Sequence, residues 1–215
     1  MFAFSLSACQ TCKILDCPAG PSSFVYEATQ QGFDVVGCDP LYEFELDSLI
    51  ENGKSSINKT SEILSDYSQF LSQKFYPNLD VMKEYAASAL KKFALDYPIG
   101  KSENRYIAAS LPNLPFENQS FDLVLSGNFL FIYSKIANSK LSQFDYEFHR
   151  DAVGELLRVS KREVRIFPIP CISGQLNEYA EKLLTDLEKD GIDANLVPVE
   201  YEVIQGGNLM LRLTR

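Results

Sequence analysis

The chain has 215 residues, of which 46% are hydrophobic and 12% aromatic, as suits one domain with its own core. Its net charge of −9 disfavours nucleic acid as a partner, because that binding depends on Lys and Arg neutralising phosphates. No apolar run reaches the roughly 18 residues of a membrane span, and residues 1–12 lack the pattern of a secretory signal. We therefore expect a cytoplasmic, non-membrane protein with a single domain over residues 1–215.

The chain contains five cysteines, and this odd number excludes complete pairing in disulfides and favours a reducing compartment. Cys9 and Cys12 have the Cys-x-x-Cys spacing of metal and redox sites. A zinc site would need two further ligands, and with Cys17 in the loop after the first strand only Cys38, Cys171 and His149 remain as candidates. We predict no metal, and we expect Cys17 and Cys38 to be small buried residues at strand ends.

The first structural signal lies between residues 13 and 42. A short apolar run at 14–15 stops at Asp16, and a loop of small and rigid residues follows. A serine N-cap then predicts a helix that ends at Gly32. A second strand over 33–38 stops at another acid, Asp39. Strand, loop, helix, strand and acid together are typical of a mononucleotide-binding half.

The spacing within this half predicts a ligand that contains a nucleoside. Gly20 lets the backbone approach a ligand closely, and the helix after it presents unpaired amide groups. Asp39 lies about twenty residues beyond the loop, the offset of an acid that accepts ribose hydroxyls. A dinucleotide is less well supported, because its fingerprint needs three glycines and this loop has Pro18, Gly20 and Pro21.

The next part of the chain interrupts the alternation of strands and helices. Residues 42–50 predict an amphipathic helix closed by Asn52 and Gly53. Residues 54–101 then form a helical insertion, with two helices joined at 75–78. A connection of this length predicts a helical cap or an interaction surface.

The remaining pattern completes an α/β sheet. Strands are predicted at 106–109, 121–125 and 164–168, with helices at 145–159 and 176–190. Because ligands bind beyond the carboxyl ends of parallel strands, Asp16, Asp39, Ser110 and Asn128 should converge on one crevice. Two final strands, 194–204 and 208–213, flank a hairpin signal at 205–207, and this antiparallel ending argues against a nicotinamide dehydrogenase.

Four motifs in the right order resemble class I S-adenosylmethionine-dependent methyltransferases, in particular the methyltransferase type 11-like family. They are Asp16-Cys17-Pro18-Ala19-Gly20-Pro21-Ser22, Val35-Val36-Gly37-Cys38-Asp39, the segment from Leu114 to Ser126, and Glu155-Leu156-Leu157-Arg158-Val159. The resemblance implies a doubly wound, seven-stranded Rossmann-like sheet with an antiparallel last strand and a helical insertion after strand 2. It also implies S-adenosylmethionine as cofactor and methyl transfer to a small-molecule acceptor.

The resemblance further implies where the cofactor binds. The expected cofactor-binding residues are Asp16, Cys17, Pro18, Ala19, Gly20, Asp39, Pro40, Leu41, Ser110, Leu111, Ser126, Gly127 and Asn128. Two features depart from the family pattern: Pro18 and Ser22 replace loop glycines, and Ser110 stands where many members carry an adenine-binding Asp. These departures keep open an alternative, a catalytically inactive domain that binds cofactor or a protein partner.

Catalytic residues are less defined by the sequence. Methyl transfer from a sulfonium is an in-line displacement, so positioning supplies most of the catalysis and a base is needed only when the nucleophile carries a proton. His149, Asn128 and Tyr133 are the candidates, each with an alternative role in packing or in capping a loop. The acceptor atom and the oligomeric state, including a homo-oligomer, stay open.

Overall fold

The computed structural model describes residues 1–2, 11–132, 144–169 and 178–214, and in it seven strands form one sheet between two layers of helices. The elements in chain order are β1 Lys13–Asp16, α1 Phe24–Gln30, β2 Asp34–Cys38, α2 Leu46–Ser65, α3 Leu79–Ser102, β3 Tyr106–Ile107, β4 Phe121–Gly127, α4 Tyr146–Val159, β5 Ser160–Phe167, α5 Glu178–Lys189, β6 Asp193–Pro198 and β7 Leu209–Thr214.

The strands lie in the order β3-β2-β1-β4-β5-β7-β6. β1 pairs in parallel with both β2 and β4, whereas β7 is antiparallel to β5 and to β6. The predicted doubly wound sheet with an antiparallel last strand is therefore confirmed. Because the strand order reverses at β1 and β4, a crevice is expected beyond the carboxyl ends of these two strands.

Apolar side chains bury both faces of the sheet. On one face α4 and α5 pack over Leu15, Val124 and Ile166, and on the other α1 and α3 pack over Ile14 and Leu125. This two-sided burial explains why the middle residues of β1, Ile14 and Leu15, and the middle of β4 are apolar. Because the helix layers cover the two faces of the sheet, polar side chains that bind a ligand are expected at the edge formed by the carboxyl ends of the strands.

The helix predicted at 42–50 is wrong in its bounds. Residues 40–43 form a short 3-10 helix, and α2 begins at Leu46 and continues through Asn52 and Gly53 to Ser65. Gly53 is buried against α3, and a Cβ there would lie 2.7 Å from Leu90 Cδ1. The glycine therefore allows close helix packing instead of ending the helix.

Three predicted strands also have different bounds. β5 begins at Ser160, where it pairs with Phe121, so the segment expected as a turn before Val164 belongs to the strand. β3 has only two residues. β6 ends at Pro198, and residues 199–204 leave the sheet to contact the linker between α2 and α3. The predicted helix at 176–190 corresponds to α5, and residues 176–177 lie outside the described part.

Candidate functional site

Backbone hydrogen bonds gather the carboxyl ends of five strands at one edge. They run from Cys17 N to Leu125 O at 2.9 Å, from Ala19 N to Cys38 O at 3.0 Å, from Asp39 N to Ile107 O at 3.1 Å, and from Asn128 N to Phe167 O at 2.7 Å. These bonds join β1 to β4, β2 to β1 and β3, and β4 to β5. The acids that end β1 and β2 are thereby placed in the same crevice region as Asn128.

Gly20 is held in the loop after β1 through both of its backbone polar groups. Its N–H donates to Asp39 Oδ2 at 2.8 Å, and its carbonyl oxygen accepts from the Tyr42 hydroxyl at 2.7 Å. Its φ of 55° lies in the left-handed region that glycine adopts at little cost. Gly20 therefore shapes the loop by its conformation, and its N–H is already used within the chain.

Asp39 organises the end of β2. Its Oδ1 accepts from Leu41 N at 2.9 Å, which caps the 3-10 helix at 40–43, while Oδ2 holds Gly20. Burial is the largest influence and raises the pKa of Asp39, and the two backbone hydrogen bonds oppose it. Each carboxylate oxygen has two lone pairs, so the group keeps acceptor capacity for a ligand hydroxyl.

Asp16 at the end of β1 is buried, with 7% of its surface exposed. Among the described residues, none donates a hydrogen bond to its carboxylate. Burial, and next the negative charge of Asp39, raise the pKa of Asp16 to about 7. Ionising a buried acid costs free energy when no protein group pairs with the charge, so the protonated form is favoured. The site is therefore suited to a ligand that brings a positive charge to Asp16.

Two thiols lie beneath these acids. Cys17 and Cys38 are free, almost fully buried and in the core cluster on the α4 side of the sheet. A hydrogen bond with the Cys38 thiol, followed by burial, raises the pKa of the Cys17 thiol. Both thiols are buried in the hydrophobic core cluster, so both cysteines act as small packing groups.

The other expected cofactor residues are distributed around the crevice. Pro18 is half-buried, Ala19 buried, Pro40 exposed, Leu41 half-buried, Ser110 exposed, Leu111 and Ser126 buried, and Gly127 half-buried. Leu111 belongs to the hydrophobic core, so only its backbone is left for a ligand. The Ser126 hydroxyl has no hydrogen-bond partner in the described part of the chain. A Cβ on Gly127 would lie 3.2 Å from Phe2 Cζ.

Asn128 follows β4 in a left-handed conformation, with a φ of 56°. Such backbone is uncommon for a residue other than glycine, and Asn tolerates it best. Its side chain is exposed, and its Nδ2 lies 3.9 Å from the Met1 sulfur. Among the candidates for orienting an acceptor, Asn128 thus has an accessible polar group at the crevice.

His149, a catalytic candidate whose alternative was a role in packing, has hydrogen-bond partners at both ring nitrogens. Its Nε2 accepts from Phe131 N at 3.1 Å, and its Nδ1 lies 2.7 Å from the carbonyl oxygen of Asp145. The ring is 1% exposed, and burial, its largest influence, lowers the pKa of His149. With both nitrogens engaged, the neutral ring fixes Phe131, whose φ is 68°. Tyr133 lies outside the described residues.

Two structurally important groups were missed by sequence reasoning. Tyr42, expected in a helix, instead reaches back to Gly20, and its own carbonyl oxygen accepts from Tyr97 Oη and Lys101 Nζ at 3.0 Å each. Asp39 followed by Pro40 was the available signal, because Asp at an N-cap and Pro at the first position start a short helix. Gly37 was also missed, and a Cβ there would lie 2.9 Å from a methyl of Val25.

The described ranges contain neither a cluster of metal-binding side chains nor a membrane-spanning helix. No group of His, Cys, Asp or Glu there is arranged to hold a metal ion. Cys12 is disulfide-bonded, and Cys9 of the Cys-x-x-Cys pair lies outside those ranges. None of the helices in the described ranges is both long and apolar enough to cross a bilayer.

Comparison with known proteins finds a relative that matches most of the chain. The chain is 29% identical over 204 residues to an uncharacterized protein of Methanocaldococcus jannaschii, and the match covers 94% of this chain and 86% of that protein. No family model matches the chain, and so none supports the type 11-like family in particular.

Solved methyltransferase structures show a distant likeness. Magnesium protoporphyrin IX methyltransferase from Synechocystis PCC 6803 with bound SAM is 13% identical, with a TM-score of 0.48 and coverage of 95% of this chain and 70% of that one. A SAM dependent methyltransferase from Aquifex aeolicus is also 13% identical, with a TM-score of 0.41 and coverage of 94% and 80%. Likeness at this level gives no information about activity or substrate.

The fold class follows from the sheet itself. Five parallel strands are wound in both directions from β1 and β4, and the antiparallel β7 is inserted between β5 and β6. This is the arrangement that the resemblance to the methyltransferases led us to expect. The chain therefore has the fold of the class I S-adenosylmethionine-dependent methyltransferases.

Proposed function

We propose that the protein is an S-adenosylmethionine-dependent methyltransferase that acts on a small molecule. The observation that carries this proposal is the buried carboxylate of Asp16, which accepts no hydrogen bond from the part of the chain that the structure describes and lies beside Asp39 at the strand ends. S-adenosylmethionine offers an ammonium group for the first acid and ribose hydroxyls for the second. The ligand's positive charge would also stabilise the ionised form of Asp16.

The same electrostatics discriminate against a dinucleotide. A pyrophosphate carries negative charge, and it would lie near two acids in a loop whose single glycine already donates its N–H to Asp39. Phosphate sites instead use free backbone amides and basic side chains. A cofactor without phosphate, such as S-adenosylmethionine, fits these residues better.

When bound, S-adenosylmethionine would supply a methyl group on a cationic sulfur. The chain's contribution is to hold the two reactants in line and to exclude water, because positioning provides most of the catalysis for such a displacement. Asp16 and Asp39 hold the cofactor, and the exposed amide of Asn128 orients the acceptor. With His149 committed to packing, we propose no histidine base.

A small-molecule acceptor is supported by charge. The net charge of −9 repels polyanions, so nucleic acids make poor acceptors at physiological salt.

Titration calorimetry tests the proposal. We expect one site per chain for S-adenosylmethionine and for S-adenosylhomocysteine, with no heat from NAD. Asp39→Ala should weaken binding by about 1 to 3 kcal/mol, since it removes a charged acceptor. It also releases the backbone N–H groups of Gly20 and Leu41. Binding of NAD in place of both sulfur ligands, or an unchanged Kd for Asp39→Ala, would overturn it.

A second candidate is a non-catalytic domain that binds cofactor without turnover. The structure favours it at one point, since the loop with Pro18 and Pro21 has its only glycine already bound by Asp39 and Tyr42. Measurement of S-adenosylhomocysteine release across a panel of amine, hydroxyl and thiol acceptors separates the two. Binding without any product would favour the non-catalytic domain.

A further inference from the structure

The segment that begins at Leu114 is bound by two side chains of α4, Glu155 and Arg158. Residues 114–118 precede β4, whereas the two charged residues lie in the last turn of α4, which covers one face of the sheet. Together Glu155 and Arg158 are called the clamp. Because they are 40 to 44 residues away in sequence from the groups that they bind, the clamp fixes the position of this segment relative to α4.

Glu155 binds the backbone N–H group of Leu114. Its Oε1 accepts from Leu114 N at 2.6 Å, and its two carboxylate oxygens accept from Arg158 at 2.7 and 2.8 Å. The Glu155 side chain is 12% exposed. The hydrogen bond from Arg158, the largest influence, lowers the pKa of Glu155. The carboxylate therefore stays ionised, and charge-assisted bonds of this kind are among the stronger ones in proteins.

Arg158 binds the carbonyl oxygens of the same segment. Its Nη2 donates to Leu114 O at 3.2 Å, and its Nη1 donates to Phe116 O and to Asn118 Oδ1, at 2.8 Å each. With the two bonds to Glu155, all five N–H donors of the guanidinium have acceptors. One ion pair thus holds both backbone polar groups of Leu114, in a geometry that a lysine does not reproduce.

The clamp holds one end of a turn formed by residues 110–113. Asn113 N donates to Ser110 O at 3.0 Å and closes this turn. The side chains of Leu111 and Leu114 are buried in the core on the α4 side, whereas those of Ser110 and Asn113 are exposed. The turn is therefore anchored from below by its leucines and presents polar residues on its outer side.

The other end of the turn lies beside the end of β2. Asp39 N donates to Ile107 O at 3.1 Å, and the Cys38 thiol donates to Ala109 O at 3.7 Å. Ser110 is the next residue, so the turn starts next to the acid that we expect to hold the ribose hydroxyls. A base joined to that ribose would lie one sugar ring away, within reach of the turn.

A turn that is already ordered favours binding, because less conformational entropy is lost when the ligand arrives. A single internal backbone hydrogen bond, from Asn113 N to Ser110 O, joins the ends of this turn. Without the clamp, the N–H and C=O groups of Leu114 would lose the partners that hold them in the folded chain. The turn would then shift, and the surface that meets the base would be lost.

We propose that Glu155 and Arg158 are positioning residues for the base of the cofactor. They hold the turn at 110–113 where the base lies, and they act through the backbone of Leu114 without touching the ligand. The inference rests on the proposed function, since it takes the nucleoside of S-adenosylmethionine as the ligand. It gives the motif at 155–159 a role in binding in addition to its packing against the sheet.

Two ligands that differ only in the base test the clamp. They are S-adenosylhomocysteine and S-ribosylhomocysteine, which has a hydroxyl in place of the adenine. Arg158→Lys keeps a cation beside Glu155 but loses the fork, so it should weaken binding of the first ligand about tenfold. The affinity for the second, measured by ligand-observed NMR at millimolar concentration, should be unchanged. An equal fold-change for both ligands, or an unchanged Kd for S-adenosylhomocysteine, would overturn the proposal.

Variants of Glu155 give a second test. Glu155→Ala should weaken binding of S-adenosylhomocysteine at least as much as Arg158→Lys, because Leu114 N loses its acceptor. Glu155→Gln should recover part of the affinity, since its amide oxygen can still accept from Leu114 N. Denaturant unfolding of each variant shows that it is folded. Equal binding by Glu155→Ala and the wild type would contradict a positioning role.

Arg150→Ala is the matched control. Arg150 lies about two turns earlier on the same helix, and its guanidinium pairs with Glu147 at 2.7 Å and with Asp151 at 3.0 Å. We expect it to bind both ligands as the wild type does. Wild-type protein that binds no S-adenosylhomocysteine would overturn the proposed function, whereas wild-type binding that is the same in Arg158→Lys and Glu155→Ala would overturn the role of the clamp alone.

Discussion

The hydroxyl of Tyr42 donates a 2.7 Å hydrogen bond to the carbonyl oxygen of Gly20. Tyr42 is 1% exposed, and its own carbonyl oxygen accepts from Tyr97 and Lys101 of α3. A chain of contacts therefore links the helical insertion to the single glycine of the loop. In a loop where Pro18 and Ser22 stand in place of the glycines of the family pattern, these contacts hold the backbone in shape.

Tyr42→Phe should weaken S-adenosylmethionine binding several-fold, because it leaves the Gly20 carbonyl oxygen without its buried donor, at a cost of about 1 to 3 kcal/mol shared between stability and binding. Tyr106→Phe is the matched control, since its hydroxyl lies in the same aromatic cluster but donates to Asp96. Calorimetry and denaturant unfolding are measured on both. Equal loss of affinity in the two variants would show that Tyr42 has no special role.

Gly20→Val should abolish cofactor binding. A Cβ at Gly20 meets only Asp39 Oδ2, at 4.0 Å, so space exists, but the φ of 55° is strained for a β-branched residue. The loop would relax and release Asp39. Gly32→Val is the control, because Gly32 has a φ of 85° with open space around it and lies before the start of β2, away from the carboxyl ends of the strands. We expect both variants to lose stability and only the first to lose binding; retained binding in a folded Gly20→Val would place the ligand elsewhere.

His149→Gln should lower the free energy of unfolding by about 2 to 4 kcal/mol, because it disturbs two buried hydrogen bonds and the support of Phe131. The folded-state pKa of His149 is lowered by burial, so the unfolded chain binds the proton more readily. Its contribution to stability is therefore present above the unfolded pKa, near 6.5, and is lost as pH falls below it. Denaturant unfolding between pH 5 and pH 8 measures this dependence. A change in the pH profile of methyl transfer at intact stability would instead return His149 to the catalytic candidates.

The apolar runs that stop at Asp16 and Asp39 predicted the ends of β1 and β2 correctly, because a buried parallel strand that stops at a polar residue has a strong signal. Asp16 and Asp39 could be placed for this reason. Gly53 was read as a helix end, since sequence alone does not show that Leu90 packs against it. The contact of Tyr42 with Gly20 and the role of His149 depend on tertiary geometry, which no local pattern contains.

Asp16→Asn should stabilise the unliganded protein at pH 8 and have little effect at pH 4. The folded pKa of about 7 lies above the ordinary value of 3.8, so the folded state binds the proton more tightly and stability falls as pH rises between these values. At about 1.4 kcal/mol for each pKa unit, the ionised acid costs up to about 4 kcal/mol. Free energies of unfolding of the wild type and of Asp16→Asn, measured from pH 4 to pH 8, give this cost. A variant less stable than the wild type at pH 8 would contradict the prediction.

The most direct measurement is calorimetric titration of the wild type with S-adenosylmethionine from pH 5.5 to pH 8.5, in buffers of different ionisation enthalpy. If the cofactor's ammonium group pairs with Asp16, binding releases protons below about pH 7, and the affinity rises with pH by up to about tenfold per unit before levelling off. Asp16→Asn should bind more weakly and without this dependence. Absence of binding, or a pH dependence that is the same in Asp16→Asn, would contradict the account.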